Sequence, residues 1–197
     1  MPGELVQSLT LFYCYAHEDQ QFLEEIDLHL NNLKNQCHID SYFGGECFSN
    51  TKQEEKSLRR LKGADLVVLF ISTHFSVTDY FGESETDRDM KWRQWLGQQR
   101  IISILLEPVD GKNIPLVSQD ILPNDARPLK EWENQEQAFQ NIEEGMYAAV
   151  EKLWLTRGDK LLQEMGNPEE ALKAYAEALR LNPSNNWLGL VLTFRLK

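Results

Sequence analysis

Short, nearly continuous runs of apolar residues recur along the first half of the chain. They fall at residues 9–15, 64–71 and 101–106, with a weaker run at 38–42. A strand that is buried on both faces reads as such a run, whereas a strand with one solvated face alternates apolar and polar side chains. The runs therefore predict strands of a parallel sheet that is covered on both faces.

Helical periodicity fills the intervals between these runs. Asp19 stands at a suitable N-cap position before a set of apolar residues at helical spacing, namely Phe22, Leu23, Ile26, Leu30 and Leu33. Further helices are predicted at residues 52–62, 83–98 and 135–154. A proline-containing loop is predicted at 107–126, and a short edge strand, where a proline is tolerated, at 127–129.

Strands that alternate with helices predict an α/β fold with a doubly wound parallel sheet of about five strands in a three-layer arrangement. In such sheets the ligand binds beyond the carboxyl ends of the strands, where the strand order changes direction. This rule nominates three loops as the ligand site: residues 15–19, 43–52 and 72–82.

The pattern changes at the C-terminal end of the chain. Gly166, Asn167 and Pro168 form a turn and a helix start, and the following helix places Ala171, Tyr175 and Ala178 on one face. Small residues on one face allow two helices to pack closely. We therefore expect one domain at residues 1–154 and an all-α helical hairpin at residues 155–197.

Composition narrows the classes of partner. The net charge of −11 argues against a general binder of nucleic acid or of anionic membranes, and no apolar run approaches the ~20 residues of a membrane-spanning helix. The start of the chain lacks a secretory signal pattern, so the cysteines, Cys14, Cys37 and Cys47, are expected to be reduced thiols in a cytoplasmic protein. The four histidines are scattered, so no metal site is expected.

Four ordered segments resemble bacterial domains of the Toll/interleukin-1 receptor (TIR) family. The first, an aromatic strand followed by an acidic loop, is Phe12-Tyr13-Cys14-Tyr15-Ala16-His17-Glu18-Asp19. The others are the strand at 64–72, the segment Thr78-Asp79-Tyr80 with Glu85 five residues after the tyrosine, and the strand at 101–108 with its Pro-Val-Asp exit. Residues 158–183 resemble a tetratricopeptide (TPR) repeat, and this resemblance implies the start of a second repeat at residues 186–197. The resemblance implies a flavodoxin-like fold for residues 1–154.

Many TIR domains cleave NAD+ between nicotinamide and ribose, and the resemblance implies this activity here. NAD+ would be the substrate, no cofactor would be required, and the products would be nicotinamide and linear or cyclic ADP-ribose. The resemblance further implies activation by self-association, a possible protein partner for the TPR-like segment, and a role in prokaryotic immune or stress signalling. Glu85 is the implied catalytic residue. Its position in a first helical turn favours the ionised carboxylate, which can stabilise an oxocarbenium-like ribose.

The implied substrate-binding residues are Tyr15, Phe43, Ser72, Thr73 and Tyr80. Ser72 and Thr73 would contact ribose or phosphate, and the aromatic residues would stack on adenine or nicotinamide. Each of these positions also has an ordinary structural explanation. Glu85 belongs to an acidic helix start, hydroxyls cap strand ends, and aromatic residues fill cores and loops.

Two other functions remain open. Residues 42–50 lack the aromatic-His-Asp-Arg segment and the Pro-Gly turn that bacterial TIR domains usually carry there, which favours a non-catalytic TIR/TPR module that signals through protein–protein interaction. A phospho-acceptor protein of flavodoxin-like fold is the third possibility. It would require an aspartate at the end of the third strand, where Ser72 and Thr73 stand.

Overall fold

The computed structural model describes residues 8–44, 52–75, 100–109 and 120–184. Within these ranges five strands form one sheet in the order β2-β1-β3-β4-β5. The strands are β1 (Leu9–Cys14), β2 (Ile39–Phe43), β3 (Leu66–Ile71), β4 (Arg100–Leu105) and β5 (Asp120–Leu122). Every neighbouring pair is parallel, which confirms the predicted parallel sheet of an α/β fold.

Strand β3 lies at the centre of this sheet. All six of its side chains are buried, and five of the six in β1 are buried as well. The two strands pair in parallel with Leu11 opposite Leu66 and Cys14 opposite Leu69. A strand that buries both of its faces needs cover on both sides of the sheet, so the continuous apolar runs were correctly interpreted.

The predicted helix after β1 is present as two consecutive helices, α1 (Gln20–His29) and α2 (Asn31–Cys37). Leu30 separates them, but its N–H still donates to the carbonyl of Ile26, and it accepts from the N–H of Lys34. The predicted apolar face therefore continues across the break, with Leu23, Ile26, Leu30 and Leu33 buried. His38 ends α2 with a positive φ of 50°. A charged helix, α3 (Lys52–Gly63), precedes β3 as predicted.

The fifth strand does not lie where the sequence predicted it. Residues 127–129 are not a strand, and the 3-10 turn Leu129–Glu131 follows Pro128 instead. The edge strand is β5, inside the segment that was predicted to be a loop. Its three residues end just before Pro123, which has no N–H to donate to a ladder. A strand of this length shows no periodicity in the sequence, so pairing with β4 decides it.

The C-terminal part of the chain holds two helices, α4 (Gln135–Gln163) and α5 (Pro168–Leu181). Helix α4 does not end at Trp154 as predicted, because residues 154 and 155 carry neither a proline nor a glycine cap that would stop it. The chain divides into two compact units, and the division between residues 143 and 144 falls inside α4. None of the helices in the described part of the chain has the length and apolar character needed to cross a membrane.

Close packing in the unit that begins at residue 144 depends on small residues. Ala171, Tyr175 and Ala178 of α5 are buried, as the sequence predicted for that face, and Ala174 is buried with them. The hydroxyl of Tyr175 donates to Oδ1 of Asp159 at 2.6 Å, and Nδ2 of Asn182 donates to the Glu151 carboxylate at 3.1 and 3.2 Å. The Tyr175 ring occupies the space that a Cβ on residue 158 would need, so this position requires glycine.

Replacing Gly158 by alanine should destabilise this unit. The added Cβ would lie 2.5 Å from Cε1 of the buried Tyr175 ring. Overpacking of this kind costs about 1–3 kcal/mol, against about 1 kcal/mol that alanine gains in helix propensity. We expect a net loss of up to about 2 kcal/mol in the free energy of unfolding, measured by urea denaturation. Gly63→Ala is the matched control, because a Cβ at Gly63 meets nothing within 4 Å. Equal stability of the two variants would contradict the packing argument.

Candidate ligand site at the carboxyl edge of the sheet

The carboxyl ends of the strands place polar residues from distant parts of the chain at one edge of the sheet. The strand order changes direction between β1 and β3, because β2 lies on one side of β1 while β3, β4 and β5 lie on the other. A ligand crevice is expected beyond the ends of those two strands. The segments that leave this edge within the described residues include residues 15–19 after β1, 72–75 after β3 and 106–109 after β4.

A buried hydrogen bond joins the segments after β1 and β3. Oγ of Ser72 donates to Oδ2 of Asp19 at 2.5 Å. The same hydroxyl oxygen accepts the N–H groups of His74 and Phe75, each at 3.1 Å. Asp19 and Ser72 are 2% and 1% exposed, so both groups depend on each other for hydrogen bonding. Ser72 therefore caps the turn after β3 and fixes that turn to the segment after β1.

Asp19 does not perform the capping role predicted for it. It occupies the N-cap position of α1, but its side chain makes no capping hydrogen bond. Its carboxylate is instead engaged with Ser72, 53 residues further along the chain. Burial raises the pKa of Asp19, and the negative charge of Glu107 raises it further, against the lowering effects of the Ser72 hydrogen bond and of His74 and Lys130.

A second cluster joins β3, β4 and the 3-10 turn after β5. Oε2 of Glu107 accepts the hydroxyl of Thr73 at 2.5 Å and the N–H of Thr73 at 3.2 Å. Nζ of Lys130 donates to Oε1 of Glu107 and lies 5.2 Å from the centre of the Phe22 ring. The backbone N–H of Lys130 donates to the carbonyl of Leu106 at 3.1 Å. The hydrogen bonds from Lys130 and Thr73 lower the pKa of Glu107 to about 2, although burial opposes them.

Of the predicted site residues, Ser72 and Thr73 come together in these clusters. Tyr15 follows β1 directly and is partly buried. Phe43 lies at the end of β2, 48% exposed, and stacks on Tyr13 with ring centroids 5.3 Å apart. Tyr80 and the proposed catalytic Glu85 lie outside the described residues.

Sequence reasoning missed Glu107 and Lys130. Glu107 had a usable signal, because it is the first charged residue after β4 and parallel strands bring their carboxyl ends to one edge. Lys130 had none, because its position depends on where the chain returns after β5. Among the described residues, no group of three or more His, Cys, Asp and Glu side chains is arranged to hold a metal ion. The two clusters at this edge present hydroxyl, carboxylate and ammonium groups.

Comparison with known proteins gives a distant relative. No protein-family model matches the chain, and no solved structure does. The chain is 22% identical over 147 residues to the uncharacterized protein y4lF of Sinorhizobium fredii (strain NBRC 101917 / NGR234). The match covers 75% of this chain and 45% of that protein, so the chain spans less than half of the length of this relative.

The low pKa of Glu107 predicts a loss of stability in acid. A carboxyl group whose folded pKa is about 2, against an ordinary 4.5, stabilises the fold above pH 4.5 and loses that contribution as the pH falls towards 2. Because the Lys130 side chain is 45% exposed and therefore screened, we expect Glu107→Gln to cost about 2 kcal/mol at pH 7. The difference from wild type should shrink between pH 4.5 and 2 in urea titrations. The exposed Glu133→Gln is the control, and a pH-independent difference would contradict the ionic origin.

The ionised side chain of Asp19 should lower the stability of the fold, whereas that of Glu107 raises it. Because its folded pKa is raised, its ionised form is disfavoured in the folded state, and this cost develops as the pH rises above the ordinary value of 3.8. Asp19→Asn keeps an acceptor for Ser72 and removes the charge. We expect the variant to be at least as stable as wild type at pH 7, with the advantage declining as the pH falls towards 3.8 and largely absent below it. Asp19→Ala, which removes the acceptor, should be less stable than either. A clear loss of stability in Asp19→Asn at pH 7 would refute the assignment.

Proposed function

We propose that the unit holding the sheet is a TIR-like domain that cleaves the nicotinamide–ribose bond of NAD+. The strand order β2-β1-β3-β4-β5 is the order of flavodoxin-like folds, which supports the fold that the resemblance implies. The observation that carries the proposal is the Asp19–Ser72 hydrogen bond. It fixes the segments after β1 and β3 to each other at the place where doubly wound sheets bind nucleotides.

In this proposal Ser72 sets the direction in which the chain leaves β3. Its hydroxyl accepts the N–H groups of His74 and Phe75, directly before the segment that leads to Tyr80 and Glu85. Glu85 would stabilise the positive charge that develops on the ribose as the C1′–N bond breaks and nicotinamide leaves with the electron pair. Water, or a nitrogen of adenine in a cyclising enzyme, would then bond to C1′. No cofactor is needed.

The other predicted residues have binding roles in this scheme. Thr73 is exposed beside Ser72, which suits a contact to ribose or phosphate. Phe43 is 48% exposed at the end of β2, and with Tyr15 and Tyr80 it would stack on adenine or nicotinamide. These are proposals from the resemblance, and the exposure of Thr73 and Phe43 is compatible with them.

We further propose that α4 and α5 form a TPR-like hairpin that binds a protein partner. Gly158 and Asp159 meet Tyr175, while Glu151, two turns earlier, meets Asn182, two turns later. Contacts that advance in opposite directions along two helices are those of an antiparallel pair, which supports the hairpin. Activation by self-association, a cytoplasmic location and a role in prokaryotic immune or stress signalling follow from the resemblance alone.

A non-catalytic interaction module is the second candidate. It is favoured by residues 42–50, which lack the His, Asp, Arg and Pro-Gly turn of bacterial TIR domains. The structure gives one of these positions a packing role. A Cβ on Gly44 would lie 2.5 Å from the Phe12 ring and 3.0 Å from the carbonyl oxygen of Tyr13. Steric need for glycine at the end of β2 explains this residue without a contribution to catalysis.

Glu85→Gln tests the catalytic proposal. The substitution keeps size and hydrogen bonding but removes the charge, so nicotinamide release should fall by about 10²-fold or more, as for loss of one electrostatic stabiliser. Glu83→Gln is the matched control. Residues two apart on a helix point about 200° apart, so this variant should lose only a few-fold, through the helix dipole.

The assay should be run over a hundredfold range of protein concentration. If the competent state forms by self-association, activity per molecule should rise with concentration. Wild-type turnover by folded Glu85→Gln would make the catalytic assignment wrong. Absence of turnover in the assembled wild type would favour the interaction module.

A further inference from the structure

Three hydrogen-bond donors converge on one carboxylate at the edge of the sheet. The N–H and the hydroxyl of Thr73 both donate to Oε2 of Glu107, at 3.2 and 2.5 Å, and Nζ of Lys130 donates to Oε1. One backbone amide, one hydroxyl and one ammonium group are the kinds of donor that bind a phosphate oxyanion in proteins. The donors come from the ends of β3 and from the turn after β5, so the tertiary fold assembles them.

The donors and the acceptor differ in exposure. Thr73 is exposed, and the Lys130 side chain is 45% exposed. The Glu107 side chain is 12% exposed. Thr73 and Lys130 are therefore accessible from solvent, whereas Glu107, which accepts their hydrogen bonds, is largely buried. Rotation about the side-chain bonds of Glu107 can move its carboxylate away from Thr73 and Lys130.

We propose that Thr73 and Lys130 form a phosphate-binding site that the carboxylate of Glu107 occupies in the unliganded protein. The proposal rests on the proposed function in one respect: it identifies the bound group as the diphosphate of NAD+ rather than free inorganic phosphate. The two ligands share the oxyanion chemistry that these donors recognise. Glu107 acts as an internal competitor, since a phosphate must displace it before it can bind.

Competition and repulsion make the wild-type site weak. Each ligand must bind the fraction of molecules in which Glu107 has released Thr73 and Lys130, which lowers the apparent affinity by that fraction. Asp19 also lies within electrostatic reach of Glu107, whose negative charge helps to raise the pKa of Asp19, and the ionised form of Asp19 would repel a bound phosphate. Lys130 interacts favourably with both carboxylates.

The test is equilibrium binding of inorganic pyrophosphate and of ADP-ribose to the full chain, by calorimetry at constant ionic strength. We expect Glu107→Ala to bind at least one of them about tenfold or more tightly than wild type does. Glu131→Ala is the matched control, because it removes the same charge one residue from Lys130 but leaves the Glu107 carboxylate in place. Glu107→Ala combined with Lys130→Met should lose the gain. If Glu107→Ala does not fold, Glu107→Gln replaces it, with a smaller expected gain.

The binding results distinguish a nucleotide-diphosphate site from a general phosphate site and from a purely structural role of Glu107. A gain for both ligands supports a site for a nucleotide diphosphate, whereas a gain for pyrophosphate alone supports a phosphate site and overturns the link to NAD+. No gain, or an equal gain in Glu131→Ala, overturns the phosphate site and leaves Glu107 as a structural brace. Because the readout is binding and not nicotinamide release, failure here is distinguishable from failure of the proposed activity.

Discussion

Burial of β3 on both faces is the constraint on which the rest of the sheet unit depends. Six consecutive side chains, from Leu66 to Ile71, are buried, so a polar side chain in this strand would lose its contact with water. Such a strand is stable only between parallel neighbours under cover on both sides of the sheet. Polar side chains are therefore expected beyond the ends of this strand and not within it. Ser72, the first polar residue after β3, accordingly makes a buried side-chain hydrogen bond to Asp19.

The two buried carboxyl groups at this edge, Asp19 and Glu107, have pKa values shifted in opposite directions. Asp19 and Glu107 are both buried carboxylic acids, but burial raises the pKa of Asp19, while Lys130 and Thr73 lower that of Glu107. The difference follows from the partners. A single neutral hydroxyl does not offset the loss of hydration at Asp19, whereas an ammonium group and two further donors do so at Glu107. The edge thus holds one carboxylate that resists ionisation and one that is firmly ionised, in electrostatic contact with each other.

The scaffold is compatible with more than one function, because parallel α/β sheets host many unrelated activities. The proposed NAD+ cleavage is supported by the resemblance to TIR domains together with a polar edge at the expected crevice, and the distant relative is itself uncharacterized. The Thr73–Glu107–Lys130 cluster is independent of that resemblance. An anion site there would suit a nucleotide enzyme, and a structural brace would suit an interaction module. Ligand binding at this edge, rather than the fold, therefore distinguishes the nucleotide enzyme from the interaction module.

The sequence by itself determined the parallel sheet, four of its strands and the apolar face of α1 and α2, because burial on both faces leaves continuous apolar runs and burial on one leaves helical spacing. It also pointed to the edge that carries Ser72 and Thr73. It did not determine β5, whose three residues are too few to show a period, or the continuity of α4 through residue 154. Nor did it predict the hydrogen bond between Asp19 and Ser72 or the ion pair between Lys130 and Glu107. Those interactions join residues 53 and 23 positions apart, so they exist only once the strands are paired and the loops at their ends lie side by side.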